Sequence, residues 1–79
     1  MADFKFDIKQ NLGVISESTK GWKREVNVMT WNKKKPKVDI REWDENHEKM
    51  GKGITLNKEE LKELKEILNG IDLDELEVE

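Results

Sequence analysis

Lys37-Val38-Asp39-Ile40-Arg41-Glu42-Trp43 is the stretch from which the fold of this 79-residue chain is best read. It has the composition of a β-strand, along which side chains alternate between two faces. Val38 and Ile40 take one face; Lys37, Asp39, Arg41 and Trp43 take the other. The first face is ordinary core. The second sets a guanidinium two residues from an indole. A cation that pairs with phosphate beside a ring that stacks on a base is the simplest equipment for holding a single nucleic-acid strand.

Working backwards, residues 22–32 form a second strand with Trp22, Val26, Val28 and Thr30 on one face. Lys23, Glu25, Asn27, Met29 and Trp31 share the other, so Trp31 falls on the polar side as Trp43 does. Lys33-Lys34-Lys35-Pro36 is a tight cationic connection, and Pro36 cannot donate to a ladder. The two strands are expected to pair as an antiparallel hairpin that presents Trp31, Arg41 and Trp43 outward, with lysines at its tip. Before them, residues 4–16 carry Phe4, Phe6, Ile8, Leu12 and Val14 at one parity, which predicts a half-buried strand. Its length requires a bend, for which Gln10-Asn11 or Gly13 is suited.

Working forwards, residues 49–56 read as a fourth strand with Met50, Ile54 and Leu56 turned to the core. Strict alternation would also bury Lys52, and the flanking Gly51 and Gly53 point instead to a bulge that turns it towards the ligand face. Asn57 and Glu60 have capping-box spacing, and Leu61, Leu64, Ile67, Leu68 and Ile71 form one apolar stripe. A helix over about 57–69, closed at Asn69-Gly70, follows. For the acidic residues 71–79, three arrangements stay open: an extension of the helix, a segment docked on a partner subunit, or a loose tail.

Composition narrows the function. The chain makes one domain, 1–79, with 34% apolar and 42% charged residues and no cysteine. A core this small usually needs help from oligomerisation once disulfides are excluded, so a homodimer is expected. No apolar run approaches a membrane span and no signal sequence opens the chain, which implies a soluble, cytoplasmic protein with no membrane partner. The net charge of −3 conceals an asymmetry: residues 20–52 carry +4 and the rest −7. A polyanion responds to the local patch rather than to the total.

Catalysis has little to stand on. One histidine and no cysteine supply neither a Ser-His-Asp set nor a zinc site, so no enzyme, metal or cofactor is expected. Asp44, Glu45, His47 and Glu48 are adjacent loop residues of the kind that are ordinarily only solvated. Gly51-Lys52-Gly53 lacks the spacing of a phosphate-binding P-loop. The predicted helix is acidic outside and apolar inside, which excludes major-groove readout and favours single strands.

The order of these motifs resembles a known family. Val38-Asp39-Ile40-Arg41-Glu42-Trp43, then Lys52-Gly53-Ile54-Thr55-Leu56-Asn57, then an amphipathic helix is similar to the single-stranded-DNA-binding domain of the transcriptional coactivator positive cofactor four. Lys20-Gly21-Trp22, Pro36-Lys37 and His47-Glu48-Lys49-Met50-Gly51-Lys52-Gly53 resemble its short bacterial relatives of the YdbC type. The resemblance implies an α+β fold: a four-stranded, antiparallel, strongly curved sheet followed by one C-terminal helix, in a homodimer that holds single-stranded DNA with little sequence preference. It places the family's strand-three arginine on Arg41, its closing aromatic on Trp43, the aromatic ending strand two on Trp31, and a lysine and glycine on Lys52 and Gly53. The eukaryotic domain closes strand three with two aromatics, and Trp43 corresponds to either.

The candidate DNA-binding set is therefore Lys23, Asn27, Trp31, Lys33, Lys35, Lys37, Arg41, Trp43, His47, Lys49, Lys52 and Gly53. The tryptophans are expected to stack bases, and Arg41, Lys52, Lys23 and the lysine tip to hold phosphates. The role expected is in transcription, replication or repair, with the transcription machinery as a further partner. The alternatives are single-stranded RNA as ligand, since stacking and phosphate contacts barely distinguish the sugars, and a protein-interaction module anchored by Trp31 and Trp43.

Overall fold

Three turns, each with its own local hydrogen bonds, order the sheet. A computed structural model describes residues 5–79, so Phe4 lies outside the described residues. Between β1 (Phe6–Glu17) and β2 (Lys23–Trp31), Ser18 Oγ accepts from the backbone N–H groups of Lys20 and Trp22, and Gly21 takes a left-handed φ of +83°. Between β2 and β3 (Lys37–Trp43), Asn32 and Lys33 are both left-handed, and Lys34 N–H donates to Trp31 O at 3.0 Å. That is the primed turn whose twist suits a hairpin. Between β3 and β4 (Met50–Leu56), Asp44 Oδ1 accepts from Glu48 N–H at 2.8 Å and Lys49 N–H at 3.1 Å.

The strands lie in sequence order and every neighbouring pair is antiparallel. Their bounds fall within two residues of the expected ones. β1 bends more often than its sequence suggested. Its register against β2 shifts three times, leaving Lys9, Leu12 and Ile15 without an opposite number. Each bulge bends the strand and increases its twist. The shifts also rotate the apolar set, so that Leu12 and Val14 are exposed rather than half-buried.

The result is a sheet rolled on itself. Phe6 pairs with Trp31 at one end of β2 and Trp43 pairs with Lys23 at the other, a separation of about 26 Å along a straight strand. Yet the Phe6 and Trp43 rings lie 5.2 Å apart. Only strong curvature, with this face inside, brings them together. The predicted curved four-stranded sheet followed by one helix is thus the observed fold. Two further details agree: Gly51 and Lys52 together oppose Glu42 as a bulge, and Lys52 is exposed.

Helix α1 (Lys58–Asn69) begins with both arms of a capping box. Asn57 Oδ1 accepts from Glu60 N–H at 2.8 Å, and Glu60 Oε1 accepts from Asn57 N–H at 3.0 Å. Gly70 closes it, donating to the carbonyls of Glu66 and Ile67. A short 3-10 turn, Leu73–Glu75, follows, capped by Asp72. The helix meets only β3 and β4, and none of its residues is buried. The radius of gyration reflects this loose seating: 14.5 Å for the chain, against about 11.6 Å for a compact domain of this length.

Burial therefore reverses the expected division of the sheet. Val38 is buried on the helix side, but Ile54, assigned to the core, is 54% exposed. The most deeply buried apolar side chains, Met29 and Trp43, lie on the face predicted to be open. Rolling closes that face on itself, while the opposite face has one loosely seated helix to cover it.

Candidate nucleic-acid interface

The inner face is polar, buried and densely bonded. On β3 the Asp39 carboxylate, fully buried, accepts from Arg41 Nε at 2.6 Å, Arg41 Nη2 at 2.7 Å and Thr55 Oγ1 at 3.1 Å. Such a bidentate pair fixes the guanidinium plane. It lies over the Trp31 ring, with Arg41 Cζ 4.6 Å from the centroid, a cation–π arrangement. Arg41 Nη1 has only contacts of 3.4 Å, to Met50 Sδ and Gly51 O. These are the longest of the guanidinium's hydrogen bonds.

Gly53 is the register partner of Arg41. A Cβ at this position would collide with Arg41 Cβ and the Ile40 carbonyl. The glycine is required by that close approach, and through it Arg41 is held against β4.

A second carboxylate organises the other end of the face. Glu25, 3% exposed, accepts from Asn11 Nδ2 at 3.2 Å, Asn27 Nδ2 at 3.2 Å and His47 Nε2 at 2.9 Å. Asn11 Nδ2 also donates to Asn27 Oδ1 at 2.7 Å. Three donors around one carboxylate satisfy a charge that burial would otherwise make costly. His47 reaches Glu25 from the loop between β3 and β4, and its ring lies 5.5 Å from that of Trp43.

Around this interior stands a rim of cations. Lys23, Lys33, Lys35, Lys37, Lys49 and Lys52 are all exposed, and Trp31 and Arg41 are half-buried between them. Lys33 and Lys5 also line a cavity of about 280 Å³ beside Phe6 and Asp7.

The predicted residues thus separate into groups. The lysines are exposed, and Arg41 does meet Trp31. Two expectations are corrected. Trp43 is not on an open platform: it is fully buried, packed between Phe6 and His47. Asn27 is fully buried as well and spends its amide on Glu25 and Asn11. Curvature is the cause of both. His47, grouped in the sequence with solvated loop acids, is instead bonded into the face. Sequence reasoning also passed over Asp39 and Glu25. Both share the parity of Arg41, which was the available signal, but parity alone does not show that this face is enclosed.

Comparison with known proteins identifies a family. Residues 18–67, from the first turn through most of α1, match the family described as Transcriptional Coactivator p15 (PC4). A protein of Treponema pallidum (strain Nichols), described as "Uncharacterized protein", is 40% identical over 72 residues, covering 91% of this chain and 85% of the relative. β1 lies outside the family match and carries the irregular strand.

Proposed function

The chain belongs to the Transcriptional Coactivator p15 (PC4) family, and on that premise we propose that it is a non-enzymatic, homodimeric protein that binds single-stranded DNA with little sequence preference. The family is known for single-stranded DNA binding and coactivation. Within it we place this chain among the short bacterial, YdbC-type members, on the motifs from Lys20 to Leu56. Its role is then in transcription regulation or in replication and repair, at the nucleoid in the cytoplasm. Among the described residues, no helix is long and apolar enough to cross a membrane.

The observation that carries the reading is the Trp31–Arg41 unit, with Arg41 Cζ 4.6 Å from the ring centroid, set inside a rim of exposed lysines. A base entering here stacks on the indole while Arg41 Nη1 takes the adjoining phosphate. Base stacking on an aromatic contributes about 1–3 kcal/mol and is indifferent to base identity. The rim lysines add phosphate contacts that carry no sequence information.

Surface area supports the homodimer. The chain exposes 6819 Å², against about 5000 Å² expected for a compact monomer of its mass. The difference is more than one partner's share of a standard protein interface, which is about 800 Å². The exposed apolar side chains include Ile54 on β4 and Ile67 and Leu68 on the helix, as well as Leu12, Val14 and Ile15 on β1.

Titration of a fluorescent oligothymidine at several salt concentrations tests the proposal. Five phosphate contacts give a log–log slope of about −3.5 at roughly −0.7 per contact for single strands. Salt-insensitive binding, or none, would sink it. A matched RNA oligomer in competition decides which sugar is preferred.

A further inference from the structure

We propose that the loop joining β3 to β4 is a strap that holds the nucleic-acid site closed, with His47 occupying the place on Trp43 that a base takes when the strap opens. The inference rests on the single-strand reading above and concerns the regulation of that same site.

Four observations converge on His47. Its ring faces Trp43 with centroids 5.5 Å apart and planes inclined at 36°, the distance of an aromatic partner. Its Nε2–H donates to the Glu25 carboxylate at 2.9 Å, which ties the loop across to β2. Its backbone is left-handed, φ +56°, a conformation uncommon for a non-glycine residue and of some energetic cost. Trp43 beneath it is fully buried, and its indole Nε1 finds no acceptor among the described residues.

A buried N–H without an acceptor is unfavourable, and so is a strained backbone. Both unfavourable features belong to the closed arrangement and both are relieved when the loop lifts. What keeps it shut is the His47–Glu25 bond and the ring contact. Glu25 is itself satisfied on its other side by Asn11 and Asn27, so it stays in place when His47 leaves.

The flanking residues indicate what enters. Lys23 is the register partner of Trp43 across β2, and Lys49 ends the loop beside Met50, which pairs with Trp43 from β4. Both lysines are exposed. An aromatic surface that opens between two cations takes a planar base with a phosphate on either side. The charged groups around the strap are Glu25 on β2, Lys23 at its edge, and Asp44, Glu45, Glu48 and Lys49 on the loop itself. None other than Glu25 is bonded to the imidazole.

The test uses the full chain labelled with 5-fluorotryptophan, titrated with oligothymidine, as wild type and as His47→Gly and His47→Asn. Glycine accepts the left-handed backbone and removes the ring; asparagine also tolerates that backbone and keeps a polar side chain. If the strap is closed nine-tenths of the time, releasing it tightens apparent affinity about tenfold. The expected result is tighter binding by both variants, with the Trp43 fluorine signal solvent-exposed in the free His47→Gly protein. In the wild type that signal becomes exposed or stacked only when oligothymidine is added. Wild-type affinity in both variants, or a Trp43 signal that oligothymidine leaves unmoved, overturns the strap while leaving single-strand binding intact. Failure of wild type and variants alike to bind oligothymidine overturns the single-strand reading and the strap with it.

Discussion

Asp39 and Arg41, two residues apart on β3, meet in parallel hydrogen bonds of 2.6 and 2.7 Å with Asp39 fully buried. The arrangement makes each the condition of the other. Removing one partner of a buried pair leaves an uncompensated charge and costs about 3–5 kcal/mol. Asp39→Ala and Arg41→Ala are each expected to lower the urea-derived unfolding free energy by about 3 kcal/mol or more. The double variant should be little worse than either alone, because the pair fails as a unit. Strictly additive losses would show that the two side chains act independently.

Gly53 and Gly51 make a matched pair of positions on β4. A Cβ at Gly53 meets Arg41 Cβ and the Ile40 carbonyl in a clash, whereas at Gly51 the nearest atom is Glu42 Cβ at an ordinary 3.6 Å. Gly53→Ala is expected to cost about 1–3 kcal/mol by overpacking and to weaken oligothymidine binding by displacing Arg41. Gly51→Ala should stay within about 0.5 kcal/mol of the parent. Thermal unfolding of the two variants side by side reads the difference.

The same strands show where a sequence stops being legible. Period-two alternation found all four strands, and the Asn57–Glu60 spacing found the helix start, because local chemistry alone determines both. Alternation also named the two faces of β3 and placed Arg41 with Trp31 on one of them. It did not say which face would be enclosed. That depends on the three register shifts of β1 at Lys9, Leu12 and Ile15, which no periodicity in residues 6–17 announces. Once the sheet rolls, Trp43 and Asn27 pass from an open surface to the interior. Asp39 and Glu25 turn from scattered surface acids into the anchors of the site. The exposure of Lys33 and Lys35 was legible for the opposite reason: a turn keeps its side chains in water whichever way the sheet curves.

The capping box is a local prediction with a local readout. Asn57→Ala removes the acceptor of Glu60 N–H, a bond of 2.8 Å, and loss of such a cap costs about 1 kcal/mol. The expected outcome is a lower melting temperature with partial loss of the helical signal by circular dichroism. Asn57→Asp, which retains the acceptor and adds charge favourable at a helix N-terminus, should restore or exceed the parent value. An alanine variant as stable as the parent would show that the cap carries no weight.

Ile67 reports on association. It is 61% exposed in the single chain, so a polar replacement should cost an isolated monomer no more than about 0.5 kcal/mol. In a two-fold interface the same side chain is buried twice, at about 1.5–3 kcal/mol each. Ile67→Glu is therefore expected to leave the fold intact and weaken dimerisation about a hundredfold or more, as read by sedimentation equilibrium. A wild-type protein that stays at monomer mass at every concentration tested would sink the dimer.

Stacking and charge are separable at the proposed strand site, because they respond differently to salt. Lys33 and Lys35 are exposed at the hairpin tip and touch only a phosphate backbone in the proposed mode. Replacing both by alanine should flatten the salt slope by about 0.7 for each phosphate no longer neutralised, with affinity falling most at low salt. Trp31 contributes a ring rather than a charge. Trp31→Ala should weaken oligothymidine binding by about 1–3 kcal/mol, roughly 5- to 150-fold, with the slope unchanged. The two variants thus shift different parameters of one titration series. The prediction is sharpest for Trp31, because Arg41 lies over that ring and remains anchored by Asp39 when the ring is gone. A slope that flattens in Trp31→Ala would mean that the indole positions the cation. A slope that stays parallel would mean that it receives the base.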